Sequence, residues 1–168
     1  RILTVGRLTV QKAYEISIEA MKLLKEKGVQ AKWYVLGEGD QRSMLTAKIQ
    51  QLGLQEDFIL LGAVDNPYPY YAQTDIYVHA TRFEGKSIAI QEAQTLGCPM
   101  LVSDCSGNRE QVNHGVDGLL CDLTPEAVCA GIIELFQHEE KRVQYGMEAA
   151  KKELTNPEEI AKLLNLIK

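Results

Sequence analysis

The strand-like run Ile76-Tyr77-Val78-His79 leads, through Ala80, into Thr81-Arg82-Phe83-Glu84-Gly85-Lys86-Ser87-Ile88-Ala89-Ile90-Gln91-Glu92-Ala93, and this stretch decides the fold. A short apolar run gives way to a glycine turn, and the turn opens into a helix predicted from about Ser87 to Leu96. Strand, turn and helix in that order form the repeating unit of a parallel sheet with helical crossovers. The same geometry suits an anion. Gly85 lets backbone N–H groups of the turn, from Gly85 through Lys86 and Ser87 to Ile88, come close to a ligand, and a helix N-terminus carries unpaired N–H groups and a partial positive charge.

The unit recurs on both sides. Upstream, Ile2-Leu3-Thr4-Val5 ends at Gly6 and reads as a strand buried on both faces, with a helix predicted from about Lys12 to Lys27 on the spacing of Ile16, Ala20, Leu23 and Leu24. Lys32 to Leu36 is a second strand, Gly37-Glu38-Gly39-Asp40 its turn, and Gln41 to Leu52 a second helix. Phe58 to Leu61 is a third strand, followed after Asn66-Pro67-Tyr68-Pro69 by a short helix, Tyr70 to Gln73. Downstream, Met100-Leu101-Val102 is a fifth strand, a short helix is expected within 107–114, and Gly118 to Cys121 is a sixth strand. Thr124-Pro125-Glu126 starts a helical tail, and Asn156-Pro157-Glu158-Glu159 repeats that start before a last helix with Ile160, Leu163, Leu164 and Ile167 on one face. The expectation is a doubly wound, Rossmann-like parallel sheet of six strands flanked by helices, with its ligand outside the carboxyl ends of the strands.

Composition narrows the functions. The 168 residues fit one domain, 45% hydrophobic and 24% charged, and a net charge of -5 without a basic stripe argues against nucleic acid. Cys98, Cys105, Cys121 and Cys129 lack metal or redox spacing and sit in or beside apolar runs, so buried free thiols and a cytoplasmic location are expected. The chain opens directly on a core strand without Met, as an excised domain would.

The first loop, Val5-Gly6-Arg7-Leu8-Thr9-Val10-Gln11-Lys12, has one glycine and two cations where a dinucleotide fold needs G-x-G-x-x-G, and the chain has no P-loop motif. Arg7 and Lys12 can hold a diphosphate jointly, a fork-shaped donor beside a point charge, or can be solvated surface cations. Glu84 and Glu92 flank the helix start and can reach one pocket, Glu92 accepting from a ribose diol and Glu84 from a hexose hydroxyl or the reacting region. For Glu92 a solvated helix face is an equal alternative at this point. Lys86 and Ser87 are further phosphate candidates, Ser87 also as a helix cap.

Taken together in this order, Gly6-Arg7-Leu8 with Lys12, Leu36-Gly37-Glu38-Gly39, Leu60-Leu61-Gly62, Tyr77-Val78-His79-Ala80, Glu84-Gly85 through Glu92-Ala93, Gly97-Cys98-Pro99-Met100 and Gly115-Val116-Asp117-Gly118 resemble the C-terminal, donor-binding domain of GT-B glycosyltransferases, most similar to glycosyltransferase family 4. The resemblance covers nearly the whole chain, 1–168. It implies that Gly6, Arg7 and Lys12 bind the donor diphosphate, that Glu84 contacts the sugar as the catalytic carboxylate, and that Glu92 binds the nucleotide ribose. The base is expected near Gly62-Ala63-Val64 or against the Gly37-Glu38-Gly39 loop, which offer it backbone groups. The resemblance further implies a nucleoside-diphosphate sugar as substrate, a UDP-sugar by expectation, and retention of anomeric configuration without a metal. Polysaccharide or glycoconjugate synthesis in a bacterial source is the expected setting. An N-terminal acceptor-binding domain would be the partner, any peripheral membrane association would run through it, and the chain by itself would bind donor without turning it over. Three positions depart from the family pattern: Ala13 replaces a common Gly after Lys, and Lys86-Ser87 replaces Phe-Gly. Rival readings are a nucleotide-sugar epimerase of the same architecture and a non-catalytic, stand-alone nucleotide-binding or interaction module.

Overall fold

The computed structural model describes residues 1–152. The last helix expected from the sequence, after Asn156, lies outside the described residues. Within them the chain alternates strand and helix as expected: β1 (Ile2–Val5), α1 (Tyr14–Glu26), β2 (Trp33–Leu36), α2 (Arg42–Gln51), β3 (Phe58–Gly62), α3 (Tyr68–Tyr71), β4 (Ile76–His79), α4 (Ile88–Thr95), β5 (Met100–Ser103), α5 (Ser106–Arg109), β6 (Leu119–Cys121), α6 (Pro125–Gln137) and α7 (Glu139–Ala150). The strands form one parallel sheet in the order β3-β2-β1-β4-β5-β6.

Period-two alternation sends each strand's side chains to two cores. Ile2, Trp33, Val35, Phe58, Ile76, Val78 and Leu101 pack with α1, α2 and α6 on one face. Leu3, Leu36, Tyr77, Met100 and Val102 pack with α3, α4 and α7 on the other. Trp33, wholly buried, packs against Phe58 with ring centroids 5.3 Å apart, and its indole N–H donates to the Thr4 hydroxyl at 3.0 Å. That hydroxyl donates in turn to the carbonyl of Val78 at 2.8 Å, so the polar atoms inside this core are satisfied.

Some element edges differ from the sequence expectation, each for a local reason. The first helix does not begin at Lys12. A 3-10 turn, Val10–Lys12, ends at Ala13, which has left-handed backbone (φ 44°, ψ 39°), and α1 starts after it. A Cβ in that conformation costs about 1–2 kcal/mol, so the common glycine at this position has a backbone cause and Ala13 carries strain. The helix placed at Tyr70 starts two residues earlier, at Tyr68. Pro69 is tolerated there because the first turn needs no N–H from it. The helix expected within 107–114 is the single turn α5. All four cysteines are free, but only Cys98 and Cys129 are buried; Cys105 and Cys121 are partly exposed, contrary to expectation. Burial pushes the Cys98 thiol up to about 12, which makes it inert packing rather than a nucleophile.

Candidate functional site

Strands β1 and β4 are neighbours, yet the helices that follow them cover opposite faces. A crevice opens at such a switch point, where doubly wound folds bind ligands. The loops after β1 and β4 are laced across it. Arg82 N–H donates to the carbonyl of Gln11 at 2.9 Å, the Thr81 hydroxyl donates to the same oxygen at 3.1 Å, and the Gln11 amide donates to the carbonyl of Phe83 at 2.9 Å. The Arg82 guanidinium also donates to the carbonyl of Val10 and to Glu15.

This lacing brings Lys12 and Glu84 into direct contact. Their ammonium and carboxylate form an ion pair, with side-chain exposures of 17% and 13%, so Lys12 is not the solvated cation that spacing alone allowed. Glu84 has a second donor, His79 at the end of β4, whose Nε2 stands 3.0 Å from the same carboxylate oxygen. The His79 donor first, and the Lys12 charge with it, hold the Glu84 carboxyl down to about 2 against the opposing effect of burial. Because the folded value lies below the ordinary 4.5, Glu84 contributes stability that is complete above pH 4.5 and lost as pH falls toward 2. Glu84→Gln is therefore expected to reduce the pH dependence of the unfolding midpoint in that acid window, measured by thermal denaturation from pH 5 downward.

Glu92 has a different setting. Its two oxygens face Tyr68 Oη at 3.5 Å and Tyr71 Oη at 3.1 Å, both hydroxyls reaching over from α3. Burial raises its pKa, and the two hydroxyl donors oppose the shift. The solvated-face alternative is thereby excluded: Glu92 is a half-buried acceptor with its orientation fixed by two phenols.

Between the glutamates, α4 starts as expected. Ser87 is its N-cap, with Oγ accepting from Ile90 N–H at 3.4 Å. The Ser87 main chain, however, is already engaged. Its N–H donates to the Gln111 side-chain oxygen at 2.5 Å, and its carbonyl accepts from the Gln111 amide at 3.0 Å. The Ser87 N–H is thus withdrawn from the set of phosphate donors the sequence suggested, and the N–H groups of Ile88 and Ala89 remain at the helix start. Lys86 is exposed in the turn, and Arg7 is exposed with no side-chain partner among the described residues. Gly85 needs no special backbone, and a Cβ there would meet nothing within 4 Å.

Other glycines of the motif set let neighbouring loops pack closely. A Cβ on Gly37 would lie 2.0 Å from the Gly6 carbonyl, and one on Gly39 would lie 2.3 Å from the Leu8 carbonyl. The second loop therefore buttresses the first, and Leu8 N–H donates to the Glu38 carbonyl at 2.9 Å. Gly62, in left-handed backbone (φ 88°), closes the row by accepting from Gly37 N–H at 2.8 Å. Gly107 plays a comparable part beneath Glu84: a Cβ there would meet the Glu84 carbonyl at 2.1 Å and that of Gly85 at 2.4 Å.

Sequence reasoning missed Tyr68, Tyr71, Gln111 and Gly107 and gave His79 no defined part. The two tyrosines carried a usable signal, since residues three apart on a short helix share a face. Nothing in the one-dimensional pattern pointed to Gln111 or Gly107.

The chain as a whole is similar to known proteins. The family model described as "Glycosyl transferases group 1" matches residues 1–152. A Campylobacter jejuni relative, N-acetylgalactosamine-N,N'-diacetylbacillosaminyl-diphospho-undecaprenol 4-alpha-N-acetylgalactosaminyltransferase, is 34% identical over 146 residues, covering 86% of this chain and 39% of the relative. A mutant of S. aureus TarM, solved with UDP and alpha-GlcNAc-glycerol among its ligands, superposes with a TM-score of 0.86 at 21% identity, over 99% of this chain and 35% of that one. The C-terminal domain of a Francisella tularensis glycosyl transferase group 1 protein, LpcC, gives 0.76 at 22% identity, over 89% of this chain and 82% of that one. The chain thus spans about two fifths of the curated relative and most of a domain crystallised alone. Among the described residues no helix is long and apolar enough to cross a membrane.

Proposed function

Since the chain belongs to the glycosyl transferases group 1 family, we propose that it is the donor-binding half of a GT-B glycosyltransferase and takes a nucleoside-diphosphate sugar, a UDP-sugar, at the β1/β4 crevice. The observation that carries this reading is the meeting of Lys12 and Glu84 at the switch point, with Glu92 held by Tyr68 and Tyr71 on the helix that opens there. A diphosphate offers Lys12 a stronger partner than one carboxylate. It is assigned to Lys12, Arg7 and the N–H groups of Ile88 and Ala89. Glu92 accepts from the ribose diol, and Glu84, released from the ammonium, accepts from the sugar. A relative solved with UDP and the name of the Campylobacter relative, an N-acetylgalactosaminyltransferase, support a nucleotide-sugar donor.

Glycosyl transfer leaves negative charge on the departing diphosphate as the sugar gains oxocarbenium character. In this proposal the Lys12 ammonium, the Arg7 guanidinium and the α4 N-terminus carry that charge in place of a metal ion, and the product retains the anomeric configuration. The acceptor is assigned to a separate domain, since the chain spans about two fifths of the curated relative. Polysaccharide or glycoconjugate assembly is the proposed setting, and the cytoplasm the proposed location.

Calorimetric titration with UDP, GDP and ADP tests the assignment. Wild type is expected to prefer UDP, and Glu92→Ala to weaken it by about 30- to 100-fold, the loss of charged hydrogen bonds to a diol. Unaltered binding by Glu92→Ala overturns the ribose assignment, and no binding of any nucleotide favours a non-catalytic interaction module.

A further inference from the structure

Behind the Lys12–Glu84 pair lies a row of buried side chains that the proposed chemistry does not use. His79 is 2% exposed and its neighbour on the same sheet face, Tyr77, is wholly buried. Three groups surround the imidazole: Tyr77 Oη stands 3.0 Å from Nδ1, Glu84 Oε2 3.0 Å from Nε2, and Lys12 Nζ 3.3 Å from Nε2. Beyond Tyr77, the ring of Tyr71 lies 5.5 Å away between centroids, and its hydroxyl donates to Glu92. The row thus runs from one ligand-facing carboxylate to the other.

These contacts fix the tautomer. The ionised Glu84 oxygen is an acceptor and requires a hydrogen on Nε2. Nδ1 is then the acceptor for the Tyr77 hydroxyl, which would otherwise be a buried donor facing N–H. Burial lowers the His79 pKa, the Lys12 charge acts in the same direction, and Glu84 opposes both. The charged groups facing the ring are Lys12 from the first loop and Glu84 from the β4 loop. Lys12 and His79 are therefore not partners of each other. They are two donors converging on one oxygen, Oε2, which leaves Oε1 for a hydroxyl.

We propose that His79 is a positioning residue for the donor sugar: a neutral imidazole, set from behind by Tyr77, whose Nε2–H keeps Glu84 oriented after Lys12 turns to the diphosphate. This rests on Glu84 meeting the sugar. Lys12 alone cannot do both jobs, because an ammonium shared with a diphosphate no longer determines where a carboxylate points. A fixed ring can, since its only other polar atom is committed to Tyr77.

Two measurements test the role. Nitrogen-15 NMR of the wild-type imidazole is expected to show a neutral ring protonated at Nε2 from pH 8 down to pH 5.5; an Nδ1–H ring, or one that becomes charged in the ordinary histidine range near pH 6.5, overturns the proposal. Affinities are then compared for UDP and for whichever of UDP-glucose, UDP-galactose and their N-acetylamino forms binds more tightly than UDP. His79→Ala is expected to cost the nucleotide sugar about 10-fold while UDP stays within about 2-fold, and His79→Gln, whose amide N–H replaces Nε2–H, to regain most of the loss. Equal losses for both ligands, or a folded His79→Gln no better than His79→Ala, overturn it. Should His79→Ala fail to fold, His79→Gln against wild type and the NMR reading still decide. A wild-type chain with the Nε2–H ring that binds no nucleotide sugar contradicts the functional reading instead, and the positioning role falls with it.

Discussion

Replacing Lys12 with methionine is expected to weaken UDP binding by about 30- to 150-fold while leaving the affinity for uridine within about 2-fold. Methionine keeps most of the side-chain length and apolar contact and removes the charge. A charge-assisted hydrogen bond to phosphate is worth about 2–3 kcal/mol, and each 1.4 kcal/mol is a factor of ten. The nucleoside arm matters because Lys12 also braces the site by pairing with Glu84. If bracing were its main part, uridine and UDP would lose affinity together. In the same variant, removal of the Lys12 charge lifts one of the two influences that depress the His79 pKa, so the imidazole is expected to titrate at higher pH than in wild type. Calorimetry with UDP and uridine, and NMR of the His79 ring, check the two halves.

Gly107→Ala is expected to destabilise the fold and to weaken binding of the nucleotide sugar more than binding of UDP, because Glu84 is the carboxylate assigned to the sugar. Two effects oppose each other at this position. Gly107 lies in the short helix α5, where alanine is favoured over glycine by about 1 kcal/mol. The added Cβ, however, would stand 2.1 Å and 2.4 Å from the carbonyl oxygens of Glu84 and Gly85, which are main chain and cannot rotate away. Overpacking of this kind costs about 1–3 kcal/mol, so the clash wins. The Glu84–Gly85 segment is what moves, and the Glu84 carboxylate moves with it. Gly85→Ala is the control, since its Cβ meets nothing within 4 Å and its backbone needs no glycine. Its unfolding midpoint is expected to match wild type. Equal stability of the Gly107 and Gly85 variants in thermal denaturation would contradict the packing described beneath Glu84.

The architecture was largely legible because its signals are local. The apolar runs Ile2–Val5 and Ile76–His79, the Ser87 cap, and the Thr124-Pro125 start, where Thr124 Oγ1 accepts from Ala127 N–H at 3.2 Å, each depend on a few consecutive residues. The order and spacing of the glycine loops carried the family. What the pattern could not carry were pairings across the fold. Lys12 meets Glu84 over a separation of 72 residues, Tyr71 meets Glu92 over 21, and Ser87 meets Gln111 over 24. None of these pairs has a period or a motif. The result is that Lys12 and Glu84, read from sequence as the phosphate and sugar ends of one site, are in contact with each other, and the Ser87 N–H is not available to phosphate. Ala13 shows the converse: the departure from glycine was visible at once, but its meaning appeared only with the left-handed backbone at that residue.

A crystal structure of the chain with UDP bound tests the central claim most directly. The expected result places the diphosphate in the β1/β4 crevice, with Lys12 Nζ moved from Glu84 onto a phosphate oxygen, Arg7 and the Ile88 and Ala89 N–H groups beside it, and the ribose diol on Glu92. A nucleotide bound elsewhere on the sheet edge, or one in the crevice with the Lys12–Glu84 pair intact and Glu92 untouched, would contradict it.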